Sequence, residues 1–281
     1  MPMATLPTGI DMYYETHGSG EPLVLIPSTA FACNVWHPSQ VADLSKRLRL
    51  IVMDPRGVGR TTHAGGFYTV EQMAYDVVAL LDVIGVDSAH VLGHSMGGRI
   101  ALAMALDFPG RVRSLIMAAS GSGPAARHGA GTVPGLGIGF ISELAEKGFE
   151  KHIRDELLDS DTYLTDEYRA SHPNEARAFY DMASSLYAKW PEFLRLVAAR
   201  QNFEGTHRLG DLRMPVLIAV GDLDSGGSNH VYQAQQMKER IPSAELRILP
   251  GQSHGFFWQA PGETNDWIAE WVLGHAKGAV S

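Results

Sequence analysis

Ala89-His90-Val91-Leu92-Gly93-His94-Ser95-Met96-Gly97-Gly98 is the stretch on which the fold turns. Its first half is a short apolar run, the pattern of a strand buried on both faces. Its second half leads into a segment where Ile100 and Met104 mark a helix that Pro109 and Gly110 stop near Phe108. A serine caught between such a strand and such a helix, with Gly93 and Gly97 beside it, fits a sharp turn. The glycines let the two elements close on one another while the serine oxygen stays at the tip. A Gly-x-Ser-x-Gly string arises by chance in many chains, so it is this position that gives it meaning.

Working outward, further strand signals appear at PLVLIP (22 to 27), LRLIVMD (48 to 54) and RSLIMAAS (113 to 120). Val70, Met73, Ala74, Val77, Val78, Leu81 and Ile84 recur at helical spacing behind a Thr69 to Gln72 capping box, with Gly85 as the stop. Strands alternating with helices imply a mainly parallel sheet covered by helices. The alternation pauses from 121 to 210, which reads as a glycine-rich loop followed by helices. One of these starts around Ile141, Leu144 and Ala145; another carries Phe179, Ala183, Leu186 and Trp190 and is expected to end near Pro191. Alternation resumes with PVLIAVGD (215 to 222), a helix around His230 to Arg240, AELRILPG (244 to 251) and a last helix opening at Pro261. The expected organisation is therefore an α/β core of 1–120 and 211–281 with a helical cap at 121–210.

A serine hydroxyl needs a positioned base, and the base an orienting acid. Of 12 histidines, His254 lies just beyond the strand AELRILP, on the same sheet edge as Ser95. His207, His230 and His275 read as solvated. The acid is Asp224 or Asp222, both at the C-terminal end of PVLIAV, where functional groups of open α/β sheets gather. No histidine forms a His-x-x-x-His pair or joins an acidic cluster in sequence, so neither a metal nor another cofactor is expected.

The chain of 281 residues has 31 acidic against 23 basic side chains, a formal charge of −8, which argues against nucleic acid and anionic membranes as partners. A small-molecule substrate is the expected partner, and a homo-oligomer stays open. The single cysteine, Cys33, excludes an internal disulfide and reads as a small buried hydrophobe. The N-terminus shows no signal-peptide pattern and no stretch has the length of a membrane span, which sets a cytoplasmic location as the expectation.

These residues resemble the α/β-hydrolase superfamily over nearly the whole chain apart from the cap. Gly93-His94-Ser95-Met96-Gly97-Gly98 is similar to the nucleophile elbow of many esterases and lactonases. Asp54-Pro55-Arg56-Gly57-Val58-Gly59-Arg60-Thr61 resembles the family's Asp-x-Arg-Gly-x-Gly-x-Ser turn, with Thr61 at the usual serine. Gly221 with Asp224 matches the Gly-x-x-Asp pattern that carries the family's acid, which favours Asp224. His254 followed by Pro261 resembles the histidine segment, with Gln259 where a glutamate is common.

The resemblance implies an eight-stranded-type sheet, a Ser95, Asp224, His254 triad, and oxyanion donors at the amides of Met96 and Thr29. It departs at Pro27-Ser28, where the family usually has His-Gly. Ser28 or Thr29 could supply a hydroxyl donor instead. Hydrolysis of a carboxylic ester or lactone of a small, largely apolar molecule follows, with Phe31, Trp36, Phe140, Trp190, Phe257 and Trp258 as candidate pocket walls. Amides, carbamates, thioesters and carbon–carbon bonds next to a ketone stay open, as does a small-molecule receptor that keeps the triad.

Overall fold

A computed structural model describes residues 2–63, 65–124, 126–127, 131–132, 138–224 and 229–276, with the backbone alone for 126–127, 131–132, 138–141 and 143. Eight strands make the main sheet: β1 (Met3–Thr5), β2 (Asp11–His17), β3 (Pro22–Ile26), β4 (Arg49–Met53), β5 (Ala89–His94), β6 (Val112–Ala118), β7 (Val216–Gly221) and β8 (Glu245–Leu249). Their spatial order is β1-β2-β4-β3-β5-β6-β7-β8. β1 and β2 pair antiparallel, β2 meets β4 antiparallel, and every later neighbour is parallel.

The central strands are buried along their full length. Alternate residues serve opposite faces, as a strand's period of two requires. Val24, Ile26 and Val91 join one core cluster, while Leu23, Leu25 and Leu92 join the other. β1 and β2 have no counterpart in the expectations from sequence. They lie at one side of the sheet, and their mixed burial leaves no continuous apolar run to read.

Ten helices are used below: α1 (Val70–Val83), α2 (Met96–Asp107), α3 (Ile138–Lys147), α4 (Phe149–Arg154), α5 (Asp166–Ser171), α6 (Pro173–Ser185), α7 (Trp190–Asn202), α8 (His230–Arg240), α9 (Phe256–Gln259) and α10 (Pro261–Gly274). The capping expectation at α1 holds: Thr69 Oγ1 accepts from the Gln72 amide at 3.0 Å. One expectation fails. Pro191 does not end a helix but sits in the first turn of α7, while α6 has already stopped at Ser185. The first turn is where a missing N–H leaves no helical bond unmade, so proline marks a start there.

Helices α3 to α7 all fall between β6 and β7. Much of the Gly129 to Gly139 stretch lies outside the described residues. Among the described residues no helix is long and apolar enough to cross a membrane.

The turn after β4 ties several elements together. Asp54 is fully buried and accepts from the Cys33 amide at 2.9 Å, the Arg60 amide at 3.0 Å and Arg60 Nε at 2.7 Å. Arg56 and Asp76, each 1% exposed, form a two-pronged ion pair at 2.8 and 2.6 Å that fastens the turn to α1.

Candidate active site

The register of the sheet brings one set of strand ends into line. Ile26 pairs with Gly93, His94 with Ala118, Ala118 with Ala219, and Gly221 with Leu249. The loops leaving β3, β5, β7 and β8 therefore emerge along one edge, and they carry Thr29, Ser95, Asp224 and His254.

Between β5 and α2 the chain turns so sharply that Ser95 takes φ 56° and ψ −114°. A side-chain-bearing residue is strained in that region and persists only where its surroundings hold it. The Ser95 amide donates to Ala118 O at 2.8 Å, and Ser120 Oγ donates to Ser95 O at 2.6 Å. A Cβ at Gly93 would strike the Gly97 carbonyl, and one at Gly97 would strike that of Ile26. The flanking glycines are thus demanded by backbone contact.

Asp224 lies between two imidazoles. Its Oδ2 is 2.8 Å from His254 Nδ1 and its Oδ1 is 3.0 Å from His230 Nδ1. Burial alone would favour the protonated acid, but the two imidazoles hold Asp224 well below the usual carboxylate range. An ionised Asp224 receives the Nδ1 hydrogen of His254 and leaves Nε2 as the basic nitrogen. Asp222 points elsewhere, accepting from the Gly251 amide at 2.7 Å.

His230 corrects the expectation of a solvated side chain. It is buried, and burial presses its pKa down against the pull of Asp224. The N-cap of α8, Asn229, is in the left-handed conformation at φ 43°, and the His230 amide donates to Asp224 O at 3.1 Å.

Beneath these groups, His94 is fully buried. Its Nε2–H donates to the His254 carbonyl at 2.9 Å, and the two ring centroids lie 4.7 Å apart. The residue before Ser95 thereby fixes the backbone of His254. Burial, then the neighbouring His254, hold His94 well below the ordinary histidine value. Gln259 orders the same loop: its Oε1 accepts from Ser253 Oγ at 2.6 Å, and its Nε2 donates to Thr165 Oγ1 at 3.1 Å.

The loop after β3 carries Ser28 and Thr29, both buried. Among the described residues no protein acceptor takes the Thr29 amide hydrogen, and the Met96 amide opens α2, where helical N–H groups lack partners. The Ser28 hydroxyl is hydrogen-bonded to Tyr163 Oη at 3.0 Å, and the Tyr163 ring stands edge-on to His254 at 5.1 Å. Tyr163, from the segment between β6 and β7, escapes a reading of the sequence, where nothing local links it to a residue 135 positions away.

The candidate pocket walls divide. Phe31, Trp36 and Phe257 are 0% exposed and serve as core rings, contrary to the expectation that they line a pocket. Aromatics sort this way because packing buries their whole ring surface. Trp190 is half-buried against Phe149, with centroids 5.2 Å apart, and the Phe140 side chain lies outside the described residues. Trp258 lines a cavity of about 490 Å³ together with Leu164, Tyr168, Phe179 and Met182. A second cavity, of about 350 Å³, reaches Thr29 and has a polar rim that includes His152, Glu156 and Arg200.

Among the described residues two side-chain groups have the spacing of metal ligands, so histidines do join acidic clusters once the chain is folded. In the first, Asp224, His230 and His254, both Nδ1 atoms face the carboxylate as hydrogen-bond donors. In the second, Glu15, Cys33 and His37, a cation is already built in: Arg60 Nη2 donates to Cys33 Sγ at 3.3 Å, and its Nη1 lies 3.7 Å from Glu15. Cys33 is buried, as expected, but in polar company.

A family model described as the alpha/beta hydrolase fold matches residues 21–261. The chain belongs to the α/β-hydrolase fold family. It is 38% identical over 268 residues to the provisionally named non-heme bromoperoxidase BpoC of Mycobacterium tuberculosis, covering 91% of this chain and 95% of that one. It is 28% identical over 270 residues to the provisionally named carbamate hydrolase RutD of Azorhizobium caulinodans, covering 92% and 93%. The solved structure of Est816, described as an N-acyl homoserine lactone degrading enzyme, superposes with a TM-score of 0.75 at 26% identity over 96% of this chain and all of that one. The α/β-hydrolase architecture supplies both the strand order and the alignment of loops along one edge.

Proposed function

We propose that this α/β hydrolase cleaves a carboxylic ester or lactone of a small molecule, with Ser95 as nucleophile, His254 as base and Asp224 as its orienting acid. The observation that carries the reading is the Asp224 to His254 contact of 2.8 Å, set on the same sheet edge as a serine at φ 56°. Ser95 Oγ attacks the carbonyl carbon while His254 Nε2 takes its proton. The amides of Met96 and Thr29 receive the oxyanion, and the proton then passes to the departing alkoxide. Water, activated by His254, releases the acid and restores Ser95. Preorganised oxyanion donors are commonly worth about 100- to 1000-fold each in turnover.

Residues 121–210 act as a cap in this reading, since Tyr163 covers His254 and bonds Ser28. The lactone-degrading activity described for Est816 supports a lactone in the substrate set, and the name of RutD adds a carbamate, another acyl carbonyl. The largely apolar substrate expected from the aromatic residues does not match the polar cavity at Thr29.

The test is turnover of short aryl esters, lactones and a carbamate by the wild type and by Ser95→Ala. Turnover by the wild type that falls to background in Ser95→Ala supports the proposal. Equal inactivity on every compound rejects it in favour of a receptor, and equal activity rejects Ser95 as nucleophile.

A further inference from the structure

The cavity of about 350 Å³ beside Thr29 is lined by several charged side chains, and most of them pair with one another. Lys147 Nζ is 2.6 Å from Asp155, which also takes Lys151 at 3.0 Å. His152 Nε2 is 3.1 Å from Glu156. Arg200, in the last turn of α7, has no carboxylate within 4.0 Å among the described residues. The hydrogen bond it makes runs from Nη1 to the Thr29 hydroxyl at 3.2 Å. A guanidinium presents a fork of N–H donors that matches a carboxylate two-fold, and here the rest of the fork has no protein acceptor among the described residues.

Tyr187, Phe193 and Val197 add aromatic and apolar surface to that wall beside Ser160 and Thr162, so an anion there would be partly shielded from water. Glu156 is the competing acid in the cavity, and His152 already engages it. Arg99, buried in the first turn of α2, does not line this cavity and donates to the Gly123 carbonyl at 3.1 Å; burial and then the charge of Arg200 press its pKa down.

We infer that Arg200 is a specificity-determining residue that binds a carboxylate of the substrate, placed a few bonds from the carbonyl held at Thr29. The substrate class is thereby an ester or lactone of a carboxylate-bearing small molecule. The inference rests on the hydrolase reading for the identity of the carbonyl site, but the binding of the anion does not depend on turnover.

The experiment uses Ser95→Ala protein and a matched pair of probes, the monoethyl ester of a short dicarboxylic acid and its neutral diethyl ester, with binding measured by calorimetry. The monoester is expected to bind about 10- to 100-fold more tightly than the diester, the usual size of a charge-assisted hydrogen-bond pair. Adding Arg200→Gln should collapse that preference, and Arg200→Lys should restore part of it. Thermal melts of each variant identify any that fail to fold, in which case the lysine variant and the probe pair still decide the question. Equal affinity of the two probes, or a preference that survives Arg200→Gln in folded protein, overturns the inference. A preference that follows Arg200 while the wild type hydrolyses neither probe nor any ester rejects the hydrolase reading and leaves the anion site standing.

Discussion

The sheet edge and the helices between β6 and β7 supply opposite sides of the candidate site, and they are built by different rules. On the sheet edge each group is held by backbone contacts: Ser95 by Ala118 and Ser120, His254 by His94, Asp224 by the start of α8. On the helical side Tyr163 and Arg200 reach in as single side chains, each with a hydrogen bond to the loop after β3. A sheet edge allows little adjustment, whereas side chains from the segment between β6 and β7, Tyr163 on a turn and Arg200 on α7, can be exchanged without disturbing the strands. In the proposed function the first side carries the reaction chemistry, and in the further inference the second selects the substrate.

The contrast breaks most visibly at the base. His254→Gln should lower kcat by about 10⁴-fold or more, as loss of a member of an interdependent triad does, and steady-state kinetics on any ester the wild type accepts will read it. A loss under tenfold would move the chemistry away from the sheet edge. Arg56→Met leaves Asp76 ionisable and unpaired in the core and should destabilise the fold by about 3–5 kcal/mol in urea unfolding. If the loss is under 1 kcal/mol, the turn after β4 is not the fastening described.

Acid sharpens the same contrast, because His90 and His94 lie buried on β5 and His230 is buried at the start of α8. Burial pushes His90 down to about 4, below an unfolded value near 6.5. Between those values the unfolded chain binds the extra proton, so stability is full above about pH 6.5 and falls as pH drops toward 4. His90 alone should remove roughly 2 kcal/mol by about pH 5, and His94 and His230, lowered for the same reason, act in the same direction. Unfolding midpoints at pH 7 and pH 5, with His90→Asn as the variant expected to fall less, check it; a flat profile would contradict these environments. The smallest effect is expected from the helical side. Tyr163→Phe removes only the hydrogen bond to Ser28 and should cost about 0.5–1.5 kcal/mol in stability or in kcat/KM; a 100-fold drop in kcat would place Tyr163 in the chemistry itself.

Legibility follows the same divide. The elbow is readable from sequence because a residue at positive φ with backbone packed on both sides leaves no freedom except glycine at 93 and 97. Resemblance favours Asp224 over Asp222, and the geometry shows it turned to His254. His230 misleads because a histidine opening a helix looks solvated until Asn229 folds it back onto Asp224. Pro191 misleads because the same residue stops a helix and starts one. Tyr163 and Arg200 carry no local signal, since their partners lie 135 and 171 positions away along the chain.

The most direct test of the central assignment is covalent labelling of the wild type with a fluorophosphonate, followed by digestion and mass mapping. The account predicts one phosphonyl adduct, on Ser95, whose formation is suppressed in His254→Gln. An adduct confined to another residue, or none in protein that turns over esters, would contradict it.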